Sequence, residues 1–222
     1  MEFFLDTEFI EDGTTIDLIS IGIVASDGRE YYAINQDCKL HKASEWVKEN
    51  VINKLPERHP SPPWEAGSSY QWEQSKLWKP KKQIREEVAL FCGCRHAFYL
   101  PTPKNWIDKT IRKLPFVNTP LEEVKFVLDD GKPKPEFWGY YADYDWVVFC
   151  QLFGTMMDLP KGFPKYCRDI KQLCDEFGNP KLPEQGKGEH NALDDAKWNR
   201  NTYLWLRDYQ INKIESNLIK QT

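Results

Sequence analysis

Three closely spaced apolar segments at the N-terminus constrain the fold of this 222-residue chain more than any other feature of its sequence. Phe3 to Phe9 is an apolar run, the turn signal Glu11-Asp12-Gly13 follows it, and a second apolar run covers Ile16 to Val24. Asp27-Gly28, a hairpin dipeptide, separates this second run from Glu30 to Ile34. The pattern predicts a three-stranded antiparallel meander.

Beyond this meander, segments with a helical spacing of apolar residues alternate with short strand-like segments. Helices are predicted over Ala43 to Leu55, Lys82 to Cys92, Tyr144 to Phe153, the segment around Ile170 to Phe177, and Asn191 to Leu206. Short strands are predicted over Phe137 to Tyr141 and Tyr166 to Cys167. This order predicts an α/β protein with a mixed five-stranded sheet flanked by helices.

The chain is long enough for one sizeable domain, and we expect residues 1–222 to form one domain with two insertions. The first insertion, at about 57–80, is rich in Pro and Trp, which predicts an irregular loop. The second, at about 95–135, contains a cationic segment from Lys104 to Lys113. That segment and Lys79 to Arg85 are candidate contacts for a polyanion, although such runs are more often solvated surface.

Charge and composition limit where the protein works and what it binds. The net charge is −4, so the chain does not look like a protein that holds nucleic acid by overall positive charge. No apolar stretch could span a membrane, and the acidic N-terminus does not resemble a signal peptide, so we expect a cytoplasmic protein with no membrane partner. Its six cysteines are then expected to be reduced, and Cys92-Gly93-Cys94-Arg95-His96 lacks the second Cys/His pair of a zinc site.

Two acidic residues interrupt the first predicted strand. Because successive strand side chains point to opposite faces, Asp6 and Glu8 share one face, about 7 Å apart along the strand. Carboxylates on an otherwise apolar strand are costly unless they are solvated, paired or bound to a cation. The motif alone is therefore open to two interpretations, a cation site or the commoner case of a strand end that faces water.

Another acidic candidate follows the strand predicted over Phe137 to Tyr141. Ligands in open α/β sheets bind at the ends of such strands, and both Asp143 and Asp145 lie at this junction. A carboxylate at the start of a helix is often only its N-cap. We assign the cap to Asp143 and the site role to Asp145.

The last candidate motif precedes the final predicted helix. Asn191 is a good N-cap, which places Asp195 at the fourth helical position and His190 just before the cap. These two positions touch in the usual geometry of a helix start, so the two side chains are expected side by side. A surface ion pair is the alternative, but Gly186 and Gly188 make the approach to His190 costly in entropy unless movement is useful.

Asp6-x-Glu8, Tyr144-Asp145 and His190-x₄-Asp195, in this order on these elements, resemble the motifs of the DEDDh 3′–5′ exonucleases, which have a ribonuclease H-like fold. The resemblance is greater still to the small bacterial exoribonucleases of the polyadenylate-specific AS type. It covers most of the chain outside roughly residues 57–80 and 95–135, including Phe4 to Gly13, Ile19 to Gly22, Asp27 to Tyr32 and Cys150 to Gly154. One departure is Tyr141, because many members carry Asn four residues before the second-motif Asp.

The resemblance implies a two-metal hydrolysis in which four carboxylates bind two divalent ions, Mg²⁺ or Mn²⁺. The implied ligands are Asp6, Glu8, Asp145 and Asp195. The implied catalytic residues are Glu8 and His190, and the imidazole of His190 would act as general base. The implied contacts to the substrate are Thr7, Phe9, Ile10 and Tyr144. Phe9 and Ile10 would hold the terminal base, although core packing explains Phe9 equally well.

RNA, single-stranded or with a 3′ overhang, is the implied substrate, and nucleoside 5′-monophosphates are the implied products. The sequence shows no reader of the ribose 2′-hydroxyl, so a 3′–5′ exodeoxyribonuclease stays open as an alternative. A catalytically silent nucleic-acid-binding domain is a second alternative, but it predicts the loss of an acidic ligand and none is missing. A zinc-dependent phosphoesterase is disfavoured, since only His190 of the four histidines lies in a motif. A homodimer is implied by the resemblance alone.

Overall fold

A computed structural model describes residues 1–58, 74–97, 125–186 and 188–219. The N-terminal meander consists of β1 (Glu2–Glu11), β2 (Ile16–Ala25) and β3 (Glu30–Asn35). β1 and β3 both pair with β2 in antiparallel orientation, which confirms the predicted meander. Gly28 closes the second hairpin with a φ of 89°, a left-handed conformation that glycine adopts without steric cost.

The meander is part of a mixed sheet that has six strands among the described residues, in the order β4-β3-β2-β1-β7-β8. β7 (Glu136–Gly139) pairs in parallel with β1, and β8 (Arg168–Asp169) pairs in parallel with β7, just after the strand predicted over Tyr166 to Cys167. β4 (Trp78–Lys79) adds a parallel edge strand to β3. The α/β class and the mixed sheet are confirmed. The prediction of five strands is wrong, because a two-residue strand such as β4 has no periodicity for a sequence to reveal.

Two further strands, β5 (Cys94–Ala97) and β6 (Lys125–Leu128), form a separate antiparallel pair. This pair joins the two arms of the segment predicted as the second insertion. Cys92 and Cys94 are free thiols buried in the neighbouring apolar core. The cationic segment from Lys104 to Lys113 and residues 59–73 of the first insertion lie outside the described residues.

The described part of the chain contains five α-helices: α1 (Glu45–Asn50), α2 (Lys81–Phe91), α3 (Asp143–Phe153), α4 (Ile170–Glu176) and α5 (Ala192–Ile219). The helix predicted over Ala43 to Leu55 is shorter, because the Ser44 hydroxyl caps its start and the residue before Pro56 is extended. α5 runs well past its predicted end at Leu206, since no Gly or Pro interrupts the sequence up to Ile219. None of the described helices combines the length and the apolar character needed to cross a membrane.

The two faces of β1 pack against different helices. Phe3 belongs to the larger apolar cluster, formed with residues of α2 and α3. Phe4, on the opposite face, packs with residues of α4 and α5. Because strand side chains alternate, Asp6 and Glu8 share the face of Phe4, toward α5. Thr7 shares the face of Phe3, toward α3.

A glycine lets α5 approach the sheet closely enough to reach this part of β1. Gly22 is the partner of Asp6 in the β1–β2 register. A Cβ at Gly22 would lie 2.1 Å from the carbonyl oxygen of Ala192 and 2.4 Å from the backbone nitrogen of Leu193. Both neighbours are backbone atoms in the first turn of α5. Any side chain at this position would therefore push the start of the helix away from the sheet.

Gly22→Ala is expected to lower the free energy of unfolding by about 1–3 kcal/mol or more, the usual cost of overpacking a core. Gly186→Ala is the matched control, because a Cβ there meets nothing within 4 Å. Thermal unfolding of the parent and the two variants checks this. A Gly22→Ala protein as stable as the parent would contradict the close packing of α5 on β2.

Candidate active site

Three carboxylates from β1 and α5 form the centre of the candidate site. Asp6 and Glu8 face α5, and Asp195 lies in the first turn of that helix. One carboxylate oxygen from each lies within 4.8 Å of the others, and all three side chains are half-buried. The β1–β2 register shifts between Glu8 and Phe9, an irregularity of the kind that often lies beside active sites. The fold thus brings together the first and last acidic motifs of the sequence.

Asp145 borders this group from the other side of β1. Its Oδ1 accepts hydrogen bonds from the backbone amide and from the hydroxyl of Thr7, at 2.8 Å and 2.6 Å. Asp145 is 6% exposed, so its carboxylate has lost most of its contact with solvent. It is not one of the three carboxylates that lie within 4.8 Å of one another. Two hydrogen bonds to Thr7, the residue between Asp6 and Glu8, nevertheless tie it to the same stretch of strand.

Asp143 does not cap α3, so that prediction is wrong. The N-cap is Ala142, which makes no side-chain hydrogen bond, and Asp143 is the first helical residue with an exposed side chain. Tyr141 adopts a left-handed φ of 55°, and this turn starts the helix one residue earlier than expected. Asp143 still lies in the first helical turn, where a negative charge favours the helix dipole.

Asn191 caps α5 as predicted, because its Oδ1 accepts hydrogen bonds from backbone amides in the first turn of the helix. His190 and Asp195 do meet, but through the main chain. The backbone amide of His190 donates to Asp195 Oδ2 at 3.1 Å. His190 itself has a left-handed φ of 67°. This bond fixes both the carboxylate and the backbone from which the imidazole projects.

The four carboxylates are costly to ionise together in the protein without metal. Burial, followed by the charges of its three acidic neighbours, raises the pKa of Asp6 well above its ordinary range. Burial and the charges of the neighbouring aspartates raise the pKa of Glu8 to about 8. Burial also raises the pKa of Asp145 and that of Asp195 to about 6, despite hydrogen bonds that favour their ionised forms. A cation bound among them would remove this cost.

These shifts predict that the protein in EDTA loses stability as the pH rises. A carboxyl whose pKa is higher in the folded than in the unfolded state stabilises the fold fully below its unfolded pKa, and the contribution is lost as the pH rises through the folded value. The pKa of Glu8 rises from an ordinary 4.5 to about 8, so it sets the upper part of the window. We expect the melting temperature to fall continuously from about pH 4 to about pH 8.

Glu8→Gln should flatten the upper part of this profile, whereas Glu176→Gln, a change at an exposed carboxylate, should leave the profile as it is in the parent. Melting temperatures measured across this pH range in EDTA give the comparison. A parent whose melting temperature stays level, or a Glu8→Gln profile that follows the parent, would contradict the buried and mutually repelling arrangement.

The donor set of this group fits a hard divalent cation. Asp6, Glu8 and Asp195 all offer carboxylate oxygens, which are the ligands that Mg²⁺ and Mn²⁺ prefer. Structural zinc is usually held by Cys and His instead. The carboxylates repel one another and their pKa values are raised. The positive charge of a bound cation would offset this repulsion.

The four predicted substrate contacts differ in how accessible they are. Tyr144 is 51% exposed, and its ring centroid lies 5.7 Å from that of Phe9. Tyr144 directly precedes Asp145, and Phe9 is half-buried. Thr7 is 5% exposed and its hydroxyl donates to Asp145, so it positions a carboxylate. Ile10 is 4% exposed and packs in the apolar cluster beneath α1, which leaves its side chain no surface for a terminal base. The sequence shows that residue 10 is apolar, but it does not show which face of β1 its side chain occupies.

Two polar side chains that border the acidic group have no recognisable signal in the sequence. Lys54, in the 3-10 turn after α1, donates to the backbone carbonyl of Glu189 at 3.4 Å, and its charge opposes the burial that raises the pKa of Glu8. The side-chain amide of Gln185 donates to Asp195 Oδ1. Lys54 falls within the helix predicted over Ala43 to Leu55 but lies in a 3-10 turn, and Gln185 lies in the loop before α5. Only packing brings the two side chains to the carboxylates.

Trp46 also lies at the site against expectation. Its spacing with Val51 predicts the apolar face of a helix, and Val51 is indeed buried, but Trp46 is 55% exposed. The indole meets the His190 imidazole edge to face, with ring centroids 4.9 Å apart. Trp46 lies in the first turn of α1, one residue after the helix begins.

Comparison with known proteins agrees with this site. Residues 1–205 match the family described as the 3′–5′ exoribonuclease Rv2179c-like domain. The chain is also similar to two proteins of Mycobacterium tuberculosis, 3′–5′ exoribonuclease MT2234.1 of strain CDC 1551 / Oshkosh and 3′–5′ exoribonuclease Rv2179c of strain ATCC 25618 / H37Rv. Each is 36% identical to this chain over 197 residues, which cover 89% of this chain and 88% of the relative. The family match includes the four carboxylates and His190.

Proposed function

The chain belongs to the 3′–5′ exoribonuclease Rv2179c-like domain family, and we propose that it is a divalent-metal-dependent hydrolase that shortens RNA from the 3′ end. The observation that carries this proposal is the convergence of Asp6 and Glu8, on β1, with Asp195, at the start of α5, and with Asp145 bordering them. Membership of the DEDDh class and a ribonuclease H-like fold are parts of the same proposal. The order of the motifs and the mixed sheet with a central antiparallel meander support both.

The reaction joins a water oxygen to the terminal phosphorus and breaks the bond between phosphorus and the 3′ oxygen, so that a nucleoside 5′-monophosphate leaves. A base has to accept the proton of that water. His190 is our candidate, because imidazole takes up protons near neutral pH. The hydrogen bond from its backbone amide to Asp195 keeps it next to the acidic group, and Trp46 contacts one edge of its ring.

Asp6, Glu8, Asp145 and Asp195 would together hold two Mg²⁺ or Mn²⁺ ions, which supply positive charge that acidifies water and stabilises the leaving oxygen. The chain orients these ligands through further contacts. Thr7 fixes Asp145 with two hydrogen bonds, and Gln185 and His190 each donate to one oxygen of Asp195. Such outer contacts set the direction and the basicity of a ligand.

RNA is our proposed polymer, because the family and both similar proteins are described as 3′–5′ exoribonucleases. The substrate would be single-stranded or carry a 3′ overhang. The accessible ring of Tyr144, paired with Phe9, can stack on a terminal base, and stacking of this kind tolerates any base. A 3′–5′ exodeoxyribonuclease is the alternative, because stacking does not distinguish RNA from DNA.

The decisive experiment gives the purified protein single-stranded RNA, RNA with a 3′ overhang and DNA of the same sequence, each labelled at the 5′ end. We expect the RNA to shorten stepwise from its 3′ end in Mg²⁺ or Mn²⁺, to release nucleoside 5′-monophosphates and to stay intact in EDTA. Faster shortening of DNA would support the alternative polymer. RNA that is bound but never shortened with either metal would overturn the proposal in favour of a silent binding domain.

A homodimer, which the family resemblance implies, and a cytoplasmic location, which we expect from the composition, stay predictions. Size-exclusion chromatography with light scattering, at several protein concentrations, gives the mass in solution and tests the dimer. Fractionation of cells that produce the protein tests the location.

A further inference from the structure

Tyr141 has a backbone conformation that a large side chain rarely adopts. Its φ is 55°, in the left-handed region where a bulky residue is a genuine outlier. The ring is nevertheless 63% exposed, so burial of its apolar surface does not compensate for the conformation. Strain of this kind persists where the surroundings impose it, and it is concentrated at functional sites.

The surroundings of Tyr141 do impose this turn. Asp169 Oδ2 accepts a hydrogen bond from the backbone amide of Ala142 at 3.0 Å. Asp169 Oδ1 at the same time accepts from the backbone amides of Lys171 and Gln172 and so caps α4. A single carboxylate on the edge strand β8 therefore joins the N-cap of α4 to the start of α3. The left-handed conformation of Tyr141 is therefore imposed by the hydrogen bonds of Asp169 and does not reflect a preference of tyrosine.

The exposed ring is the outer end of a row of aromatic side chains that begins beside the acidic group. Trp198 lies three residues after Asp195 on α5, so the two share one side of the helix. Tyr140 packs edge to face against Trp198, with ring centroids 5.0 Å apart, and against Tyr141, with centroids 4.7 Å apart. The Trp198 indole also donates to the carbonyl of Pro183 at 3.1 Å. The row thus leads from Asp195, past Pro183 in the loop before α5, to solvent at Tyr141.

We propose that Tyr141 is a substrate-positioning residue whose exposed ring stacks on a base of the RNA strand upstream of the terminal nucleotide. The inference rests on the proposed function, because it takes the carboxylates as the place of the scissile bond. The ring of Tyr144, next to Asp145 in the chain and 5.7 Å from the ring of Phe9, is assigned to the terminal base. Tyr141 then offers a second accessible aromatic ring, for the next part of the strand, and aromatic stacking is the usual way of holding single-stranded bases.

Two substitutions separate stacking from a merely structural role. Tyr141→Asn removes the ring and places at this position a residue that tolerates a left-handed conformation better than tyrosine. We expect its melting temperature to equal or exceed that of the parent, while KM for RNA rises about tenfold with little change in kcat, as loss of one stacked base predicts. Tyr141→Phe keeps the ring and should retain the KM of the parent.

A fluorescent base provides a readout that does not depend on catalysis. RNA with 2-aminopurine at the penultimate position is mixed with His190→Ala protein, in which hydrolysis is slow, and the fluorescence quenching that accompanies stacking is measured. Quenching should be present with the His190→Ala protein and with its Tyr141→Phe form, and absent from its Tyr141→Asn form. Tyr166→Asn is the matched control, because Tyr166 is also an exposed tyrosine and lies just before the start of β8. This substitution should leave the quenching unchanged.

The outcomes distinguish this inference from the proposed function. If quenching depends on the ring but the parent does not cleave RNA, the proposed hydrolase function is contradicted and Tyr141 is still an RNA contact. If the parent cleaves RNA and Tyr141→Asn has the same KM and the same quenching as the parent, the stacking role of Tyr141 is contradicted and the hydrolase function stands. A lower melting temperature of Tyr141→Asn together with unchanged quenching would assign the residue a structural role alone.

Discussion

Asp6→Asn is expected to slow RNA hydrolysis by on the order of 10³-fold while raising the melting temperature of the metal-free protein at pH 8. The loss of activity follows from removing one of three carboxylates whose oxygens lie within 4.8 Å of one another. An amide is nearly the same size but carries no charge, so it is a poor ligand for a divalent ion. Activity and stability should therefore change in opposite directions.

The gain in stability comes from the same arrangement that makes the site suited to a cation. Burial and three acidic neighbours raise the pKa of Asp6 well above its ordinary range, which means that the fold holds this group at a cost. Replacing it with a neutral amide also relieves Glu8 and Asp195. Relief of about 1 kcal/mol corresponds to a rise of about 2–4 °C in a protein of this size.

Asp143→Asn is the matched control for this prediction, since Asp143 is exposed at the first turn of α3 and lies outside the acidic group. It should keep the activity and the metal response of the parent. Initial rates on labelled RNA and melting curves with EDTA or Mg²⁺ give both quantities for the three proteins. An active Asp6→Asn enzyme, or one that Mg²⁺ stabilises as much as it does the parent, would refute the role of Asp6 as a metal ligand.

His190→Ala is expected to lower kcat on RNA by about 10²- to 10⁴-fold, the range usual for the loss of a general base. The structure predicts that this variant keeps its metal site. His190 holds Asp195 through its backbone amide, and an alanine retains that amide. Stabilisation by Mg²⁺ should therefore match that of the parent, so activity falls without loss of metal binding.

His41→Ala provides the control for a histidine that lies away from the motif, in the exposed turn before α1. Its kcat should be that of the parent. Single-turnover rates and the shift of melting temperature with Mg²⁺ decide between the possible roles of His190. If His190→Ala loses the Mg²⁺-dependent shift together with its activity, the residue maintains the site and the assignment as general base is wrong.

Local patterns in the sequence predict the fold as far as local geometry decides it. The alternation of apolar residues and the Asp27-Gly28 dipeptide predict the meander correctly, because both depend on the conformation of neighbouring residues. The edge strand at Trp78–Lys79 escapes prediction, because a strand of two residues exists only through its partner β3. The end of α5 is underestimated, since its last turns have no buried face to continue the periodic pattern.

The same distinction applies to the site. Asp6 and Glu8 share a face because of strand geometry, and Asn191 caps α5 through local hydrogen bonds, so both features can be read from the sequence. The cap assigned to Asp143 is wrong, because the left-handed turn at Tyr141 is imposed by Asp169, which is distant in sequence.

By itself, then, the sequence determined which chemical groups are available and which of them share a strand face or a helix start, because those relations extend over only a few residues. Only the tertiary structure decided which groups meet. It placed α5 against β2 at Gly22, so that Asp195 reaches β1, and it brought Gln185 to that carboxylate. It also turned Ile10 into the core. These outcomes depend on how whole surfaces pack, and no short stretch of the chain contains that information.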